Sequence, residues 1–288
     1  MSDFSDIRLQ VPEQAGGARL DAFLAGQTAF SRRRLRRAID EGGIYINKKR
    51  CRKAGQQLKG GESLRIVILG NETLTPFQPN QLLWQLDGLY LIHKRSGQYS
   101  QEALHRSVGT LPHELASYLA MKPAEAKQLR PVHRLDRGTS GLLLLSSNPK
   151  LLQHLQAHWQ QSVEKSYLAV VEPAPDWNEQ RIELAIGKER DAAGRYHVEA
   201  NGRACLTEAE VLERKNNRAL LKLIPHTGRT HQLRIHLAAL GCPILGDTRY
   251  GGKKHSRLML HAHTLCVQPP ALSIIHEWKT DPEEDWIW

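Results

Sequence analysis

The chain lacks the marks of several common protein classes. Its four cysteines, Cys51, Cys205, Cys242 and Cys266, form no Cys-x-x-Cys pair. Neither a zinc knuckle nor a disulfide framework is suggested, and free thiols suit a reducing cytosol. No apolar run approaches the roughly 18 residues that spanning a bilayer needs. The first residues carry Asp3, Asp6 and Glu13 without an apolar core, which speaks against an ordinary signal peptide. No basic amphipathic stretch presents a bulky aromatic face, so a membrane surface is a poor partner. Acids are also short: 30 Asp and Glu against 40 Lys and Arg leave a net charge of +10. The excess is uneven, with 14 basic and 8 acidic residues among the first 75. A polyanion is the expected partner, with the front of the chain as its contact.

At 288 residues and 40% apolar content the chain suits one large domain and a small one. The small one is legible at the front. Leu20, Phe23 and Leu24 fall at helical spacing, and a second helix opens at Ser31 as N-cap and closes at Gly42-Gly43. Leu35, Ala38 and Ile39 form its inward stripe, with Arg32, Arg33, Arg36 and Arg37 on the other side. There follow a short strand at Ile44–Ile46, a basic turn with Lys48, Lys49, Arg50, Arg52 and Lys53, then Gly60-Gly61 and an alternating strand through Leu64, Ile66 and Ile68. A charge run is ordinarily a solvated helix face, but two basic clusters one turn of chain apart favour phosphate contact. The segment resembles the S-four-like RNA-binding domain through Arg19-Leu20-Asp21, Ser31-Arg32, Tyr45-Ile46-Asn47 and Lys59-Gly60-Gly61, which implies docking on structured RNA. The expected organisation is a small α/β RNA-binding domain over 1–70, a linker over 71–81 containing Pro76 and Pro79, and a second domain over 82–288.

Past the linker, β-like runs at 89–92, 142–145, 167–171, 181–186, 207–212 and 219–224 alternate with a few helices. The pattern predicts an α+β fold with a mixed, mainly antiparallel β-sheet flanked by helices. One helix is marked by Asn148 as N-cap and Pro149 at its first position, burying Leu151, Leu152 and Leu155. Another spans 230–240, stopped by Gly241, with Leu233, Leu237 and Leu240 inward and His231 and Arg234 off that stripe.

The most informative stretch is His133-Arg134-Leu135-Asp136-Arg137-Gly138-Thr139-Ser140-Gly141, a carboxylate between two arginines. Nearby positive charge favours a carboxylate's ionised form, and an ionised carboxylate can attack as a nucleophile. Alone, such a triplet would read as a structural ion pair. Two further segments change the reading. In Glu164-Lys165-Ser166-Tyr167-Leu168-Ala169-Val170, strand alternation puts Lys165, Tyr167 and Ala169 on one face. Thr227-Gly228-Arg229-Thr230-His231-Gln232-Leu233-Arg234-Ile235-His236, running on to Gly246-Asp247, places a glycine turn and two arginines at a helix start, where phosphate is readily held.

These segments, with Gly202-Arg203-Ala204, Thr207 and the Leu258-Met259-Leu260-His261-Ala262-His263 strand, closely resemble the RluA-type family of pseudouridine synthases over most of residues 82–270. The resemblance implies isomerisation of uridine within RNA: the bond from base nitrogen to ribose breaks, the uracil turns, and it is rejoined through carbon 5. Nothing is oxidised or hydrolysed overall, so no metal or other cofactor is expected. It implies Asp136 as nucleophile, Arg234 as the guanidinium that orients it, Tyr167 stacked beside the uracil near the carbon 5 proton, and Leu260 packed against the everted base. A phenol with ordinary pKa of about 10 would need a charged neighbour or relay to act as base. Everting a uridine costs a few kcal/mol of unstacking, and Arg134 is placed to fill the gap by stacking. Lys165, Arg229 and His231 are expected to bind substrate.

An accessory RNA-binding domain favours large-subunit ribosomal RNA as target, with transfer RNA the alternative, and a cytoplasmic monomer is expected. One rival is a silent RNA-binding or ribosome assembly factor; another is a metal-dependent RNA hydrolase using the 14 histidines. His231 and His236 sit five apart on a helix, which does not align two imidazoles, and no acid lies in register with His261 and His263, so satisfied or exposed histidines are expected. Where relatives carry a Lys-Pro-x-Gly turn the chain has His93-Lys94-Arg95-Ser96-Gly97. Residues 277–288, with five acids and three tryptophans, are expected only to dock tryptophans on the domain surface.

Overall fold

A computed structural model describes residues 4–70, 74–189, 191 and 194–288. The chain divides into two compact units, Met1–Phe77 with Gln101–Met121, and Gln78–Ser100 with Lys122–Trp288. No helix among the described residues is long and apolar enough to cross a membrane.

In the first unit β1 (Ser5–Gln10), β2 (Ile44–Ile46), β3 (Lys49–Cys51) and β4 (Ser63–Ile68) form an antiparallel sheet in the order β1-β4-β2-β3. Helices α1 (Leu20–Gln27) and α2 (Arg32–Glu41) join it around a core that includes Leu20, Leu24, Leu35, Ile39, Ile44 and Ile66. The ends of α2 follow from its sequence. Ser31 accepts from the Arg34 N–H at 3.3 Å, and Gly42, at φ 95°, turns its N–H back to Ala38 and Ile39 carbonyls. The apolar stripe faces in and Arg32, Arg33, Arg36 and Arg37 are exposed, as the spacing predicts.

The expected linker straddles the division between units, and its residues 71–73 lie outside the described ones. A single cut there would leave 101–121 with the larger unit. That segment, which includes α3 (Leu111–Tyr118), instead groups with the front unit. Long-range polar bonds hold it: Tyr45 Oη donates to Leu104 O (2.8 Å), Arg50 Nη2 to Ala103 O (2.9 Å), and the Ser107 N–H to Glu41 O (2.7 Å), while Arg106 pairs with Glu41 (3.0 Å).

The second unit is one ten-stranded sheet. Along it run β10 (Glu179–Ile182), β11 (Thr207–Lys215), β12 (Arg218–Pro225), β9 (Val163–Val171), β13 (Leu260–Val267), β8 (Ser140–Ser146), β6 (Leu89–Lys94) and β5 (Leu82–Leu86). β14 (His276–Lys279) adds to β13 and β7 (Arg130–Pro131) to β8. All pairs are antiparallel except β13 with β8, so the sheet is mixed and mainly antiparallel. β8 is buried on both faces, which is why 142–145 reads as an unbroken leucine run. The short helix α4 (Pro123–Ala126) precedes β7. Helix α5 (Pro149–Ser162) begins where Asn148 accepts from the N–H groups of Lys150 and Leu151. Helix α6 (Gln232–Ala239) starts two residues later than the spacing predicts, because His231 takes a left-handed φ of 58°. The strand expected over 181–186 is shorter at its far end: β10 stops at Ile182, and Ile186 makes only isolated bridges to Val198 and Arg203.

Candidate active site

Asp136 lies in the loop between β7 and β8, and the loop's backbone is pinned at successive residues. Ser100 Oγ donates to Leu135 O (2.7 Å), and the Thr139 N–H closes a turn on Asp136 O (3.1 Å). At the loop's exit Gly141 has φ 109°, and a Cβ there would stand 2.1 Å from Ala262 O, so the crossing of β8 and β13 admits only glycine. Lys94, at the end of β6, is fully buried and donates to three carbonyls, Thr139 O (2.5 Å), Arg137 O (2.9 Å) and Arg95 O (3.2 Å). Burial pushes its ammonium down to about 7, against the pull of the Asp136 charge. The turn 93–97 thus forms with Arg95 where the resemblance implies a proline, and Gly97 N–H donates to Arg137 O at 2.8 Å. His133 Nε2 accepts from the Leu144 N–H (3.1 Å), and its ring stacks on Trp159 at 4.8 Å. Burial first, then the Lys165 charge, hold that imidazole down to about 3, so it is a neutral acceptor.

Among the described residues, the cation bonded to the carboxylate is not a chain neighbour, contrary to the simplest reading of the motif. Arg137 Nε donates to Gly97 O (3.0 Å) and its guanidinium lies 5.1 Å from the Tyr99 ring centre. Arg134 is exposed, and among the described residues none bonds its side chain. Chain neighbours on an extended loop point apart, whereas α6 aims Arg234 directly across. Arg234 Nη1 donates to Asp136 Oδ2 at 2.9 Å, and its other edge grips Asp247 through Nε (2.7 Å) and Nη2 (2.8 Å). This double pairing raises the guanidinium further above its ordinary range despite burial. Asp247 is 1% exposed, Arg234 11%, and Asp136 27%, so the pair is anchored inside while the nucleophile candidate stays reachable. His231 completes the cluster, its Nε2 3.7 Å from the same Asp136 oxygen and its Nδ1 2.7 Å from Tyr250 Oη.

The strand register delivers the remaining residues. Tyr167 on β9 lies opposite Leu223 and Ala262, and Leu260 lies opposite Ala169 in the adjoining row of the same face. Tyr167 is half-buried and Leu260 buried. Burial and the Asp136 charge push the Tyr167 phenol well above its usual range. A phenol so held keeps its proton at neutral pH, which favours a ring contact over proton abstraction. Lys165, two residues earlier on that face, is lowered by burial, and its Nζ lies near Gly228. The glycine turn is organised by buried Gln232: its Oε1 accepts from Thr227 Oγ1 (2.7 Å) and the Arg229 N–H (3.1 Å), and its Nε2 donates to Leu206 O and Thr207 Oγ1 (both 3.0 Å). Arg229 itself is exposed. Lys94, Gln232 and Asp247 fall inside stretches that the sequence singles out, 93–97 and 227–247, but nothing local gives them a role, and Tyr250 lies outside every motif.

In the front unit Lys48 and Lys49 are exposed, as are Arg32, Arg33, Arg36 and Arg37 of the five α2 arginines. Asn47 and Lys48, both at positive φ, make the tight turn between β2 and β3. The second basic cluster adjoins the end of α2, since Arg52 Nε donates to Asp40 O at 2.9 Å. Arg50 is bonded to the Gly42 and Ala103 carbonyls and stacked on Tyr45, with its side chain 20% exposed.

The histidines acquire an acid that the strand pattern did not show. Glu283, from the tail, brings its carboxylate beside His93 and His261, with one donor atom from each of the three within 4.8 Å of the others. Those donors are largely spoken for. His261 Nδ1 meets Ser140 Oγ (2.8 Å), its Nε2 meets Thr280 O (3.0 Å), and Glu283 pairs with buried Arg257. Burial holds His261 down to about 4. The cluster ties the tail to β13, where β14 pairs and Trp286 and Trp288 pack on the core.

Residues 88–239 match the family described as RNA pseudouridylate synthase, and residues 18–64 match the S4 domain. The chain is 31% identical to a ribosomal large subunit pseudouridine synthase C of Vibrio parahaemolyticus over 93% of its length and 91% of that protein. It is 30% identical to a ribosomal large subunit pseudouridine synthase D of Neisseria meningitidis, over 92% of this chain and 75% of that one. Its fold resembles human RNA pseudouridylate synthase domain containing 1 with a TM-score of 0.59 at 27% identity, over 70% of this chain and 83% of that structure.

Proposed function

Because the chain belongs to the RNA pseudouridylate synthase family, we propose that its Asp136 site converts uridines of large-subunit ribosomal RNA to pseudouridine. The observation that carries the assignment of the site is the single guanidinium that joins a half-open carboxylate, Asp136, to a buried one, Asp247. That arrangement holds and aims a carboxylate that can act as a nucleophile. Asp136 attacks the nucleoside. Arg234 orients it, Tyr167 lies against the uracil ring, and Leu260 backs the pocket. Arg134, exposed and unencumbered, fills the gap left in the RNA stack. Lys165, Arg229 and His231 line the approach of the nucleotide and its phosphates. Residues 1–70 serve as the RNA-holding domain, with Arg32, Arg33, Arg36, Arg37, Lys48 and Lys49 as its phosphate contacts. The relatives named for ribosomal large subunit modification support the target, with transfer RNA the alternative. A monomer in the cytoplasm completes the reading.

The test is release of tritium from RNA labelled at uracil carbon 5, by wild type and Asp136→Asn, on large-subunit ribosomal RNA and on transfer RNA. Release from the ribosomal substrate alone, abolished in the variant, is the expected result. Release by the variant at the wild-type rate would remove Asp136 from the mechanism, and release from transfer RNA alone would overturn the target.

A further inference from the structure

We propose that Tyr250 is a positioning residue of this site: its hydroxyl sets which ring nitrogen of His231 bears the proton, and so turns an N–H toward Asp136. The inference rests on the reading of Asp136 as nucleophile. Tyr250 ends the short turn Thr248–Tyr250 that follows Asp247. Its Oη lies 2.7 Å from His231 Nδ1, and the Arg234 guanidinium sits 5.1 Å from its ring centre. One side chain therefore touches both basic groups that face the nucleophile. His231 is held in a left-handed backbone conformation, φ 58°, which a non-glycine residue keeps only where its surroundings over-determine it.

The tautomer follows from charge. His231 Nε2 lies 3.7 Å from Asp136 Oδ2. A nitrogen lone pair aimed at a carboxylate oxygen is repelled, whereas an N–H is attracted, so Nε2 carries the proton and Nδ1 must accept one. Tyr250 is a fit donor: burial raises its phenol although Arg234 and Arg249 pull it down, and it keeps its hydrogen at neutral pH. The charged and titratable groups facing His231 are Asp136 on the nucleophile loop, Arg234 on α6, Asp247, Arg249 and Tyr250 around the short turn, and Tyr196 from the segment before β11. Burial holds the imidazole below its ordinary value, Arg234 and Arg249 act with it, and the two carboxylates oppose it. Arg234 and the His231 N–H then address the same carboxylate oxygen, which leaves the other for substrate.

Tyr250→Phe keeps the ring and deletes the donor. A hydrogen bond to Nδ1 favours the neutral imidazole, so its loss makes His231 easier to protonate. A charged His231 pairs with Asp136 and blunts it. The acid limb of the pH–kcat profile should therefore move to higher pH, with kcat down about tenfold at the optimum, the size of one such bond, and KM within about twofold. A uniform loss at every pH, with an unmoved limb, would make Tyr250 merely structural and overturn the proposal. Nitrogen NMR of protein labelled in its histidines, with His231 identified by His231→Gln, reads the tautomer without turnover. A bare Nδ1 in wild type is expected, and a proton on Nδ1 at neutral pH would overturn the inference whatever the enzyme's RNA target proves to be.

Discussion

Arg234→Lys is the sharpest test of the site's construction. The substitution keeps one positive charge but replaces a planar fork with a point donor. The fork makes three bonds to two carboxylates that lie on its opposite edges. A lysine ammonium at that position can satisfy only one of them. If it stays with Asp247, Asp136 loses its orienting partner and the loss is catalytic. If it reaches Asp136, Asp247 is left as a carboxylate only 1% exposed with no cation, and breaking a buried pair of that kind costs about 3–5 kcal/mol. That cost corresponds to a fall in melting temperature of about 6–20 °C for a domain of this size. On the catalytic branch, forfeiting the one charge-assisted bond to Asp136, at about 1.5–3 kcal/mol, lowers kcat about 10- to 150-fold. Tritium release and a thermal melt on the same preparation measure both branches. A lysine variant that keeps wild-type melting and turns over within about threefold of wild type would refute the bridging role.

Two other perturbations probe separate parts of the molecule. Replacing Arg32, Arg33, Arg36 and Arg37 with alanine should weaken RNA affinity and flatten the plot of log Kd against log salt by about 0.7–0.9 per lost phosphate contact. Because Arg37 also pairs with Glu41, a change nearer three contacts than four is expected, and an unaltered slope would dismiss α2 as the anchor. Lys94 is held down to about 7 from an ordinary 10.5, so the unfolded chain binds its proton more tightly and folding gains as pH rises through that window. The stability of wild type relative to Lys94→Met should accordingly improve between about pH 7 and 10.5. Denaturant melts that show a constant difference across that range would mean that burial does not lower the lysine's proton affinity.

What could be read from the chain alone was what acts over a few residues. The stripe of Leu35, Ala38 and Ile39 with arginines opposite, the caps at Ser31, Gly42 and Asn148, and the doubly buried leucine run of β8 are all written in spacings of two to four. The family motifs around Asp136, Tyr167 and Arg234 were legible as words for the same reason. Apart from the pairing of Arg234 with Asp136, which the family resemblance implied, which groups actually meet was decided in three dimensions. Arg137 is next to Asp136 in sequence yet bonds to Gly97, while the cation that holds Asp136 comes from 98 residues away. Lys94 secures carbonyls 43 and 45 residues distant, Arg50 draws residue 103 into the front unit, and the tail supplies Glu283 to Arg257. Periodicity and capping are local torsional and solvation effects, so one stretch of sequence suffices for them. The direction of a side chain across a sheet or out of a helix depends on register and packing set by the rest of the fold, and that direction determines which charge finds a partner.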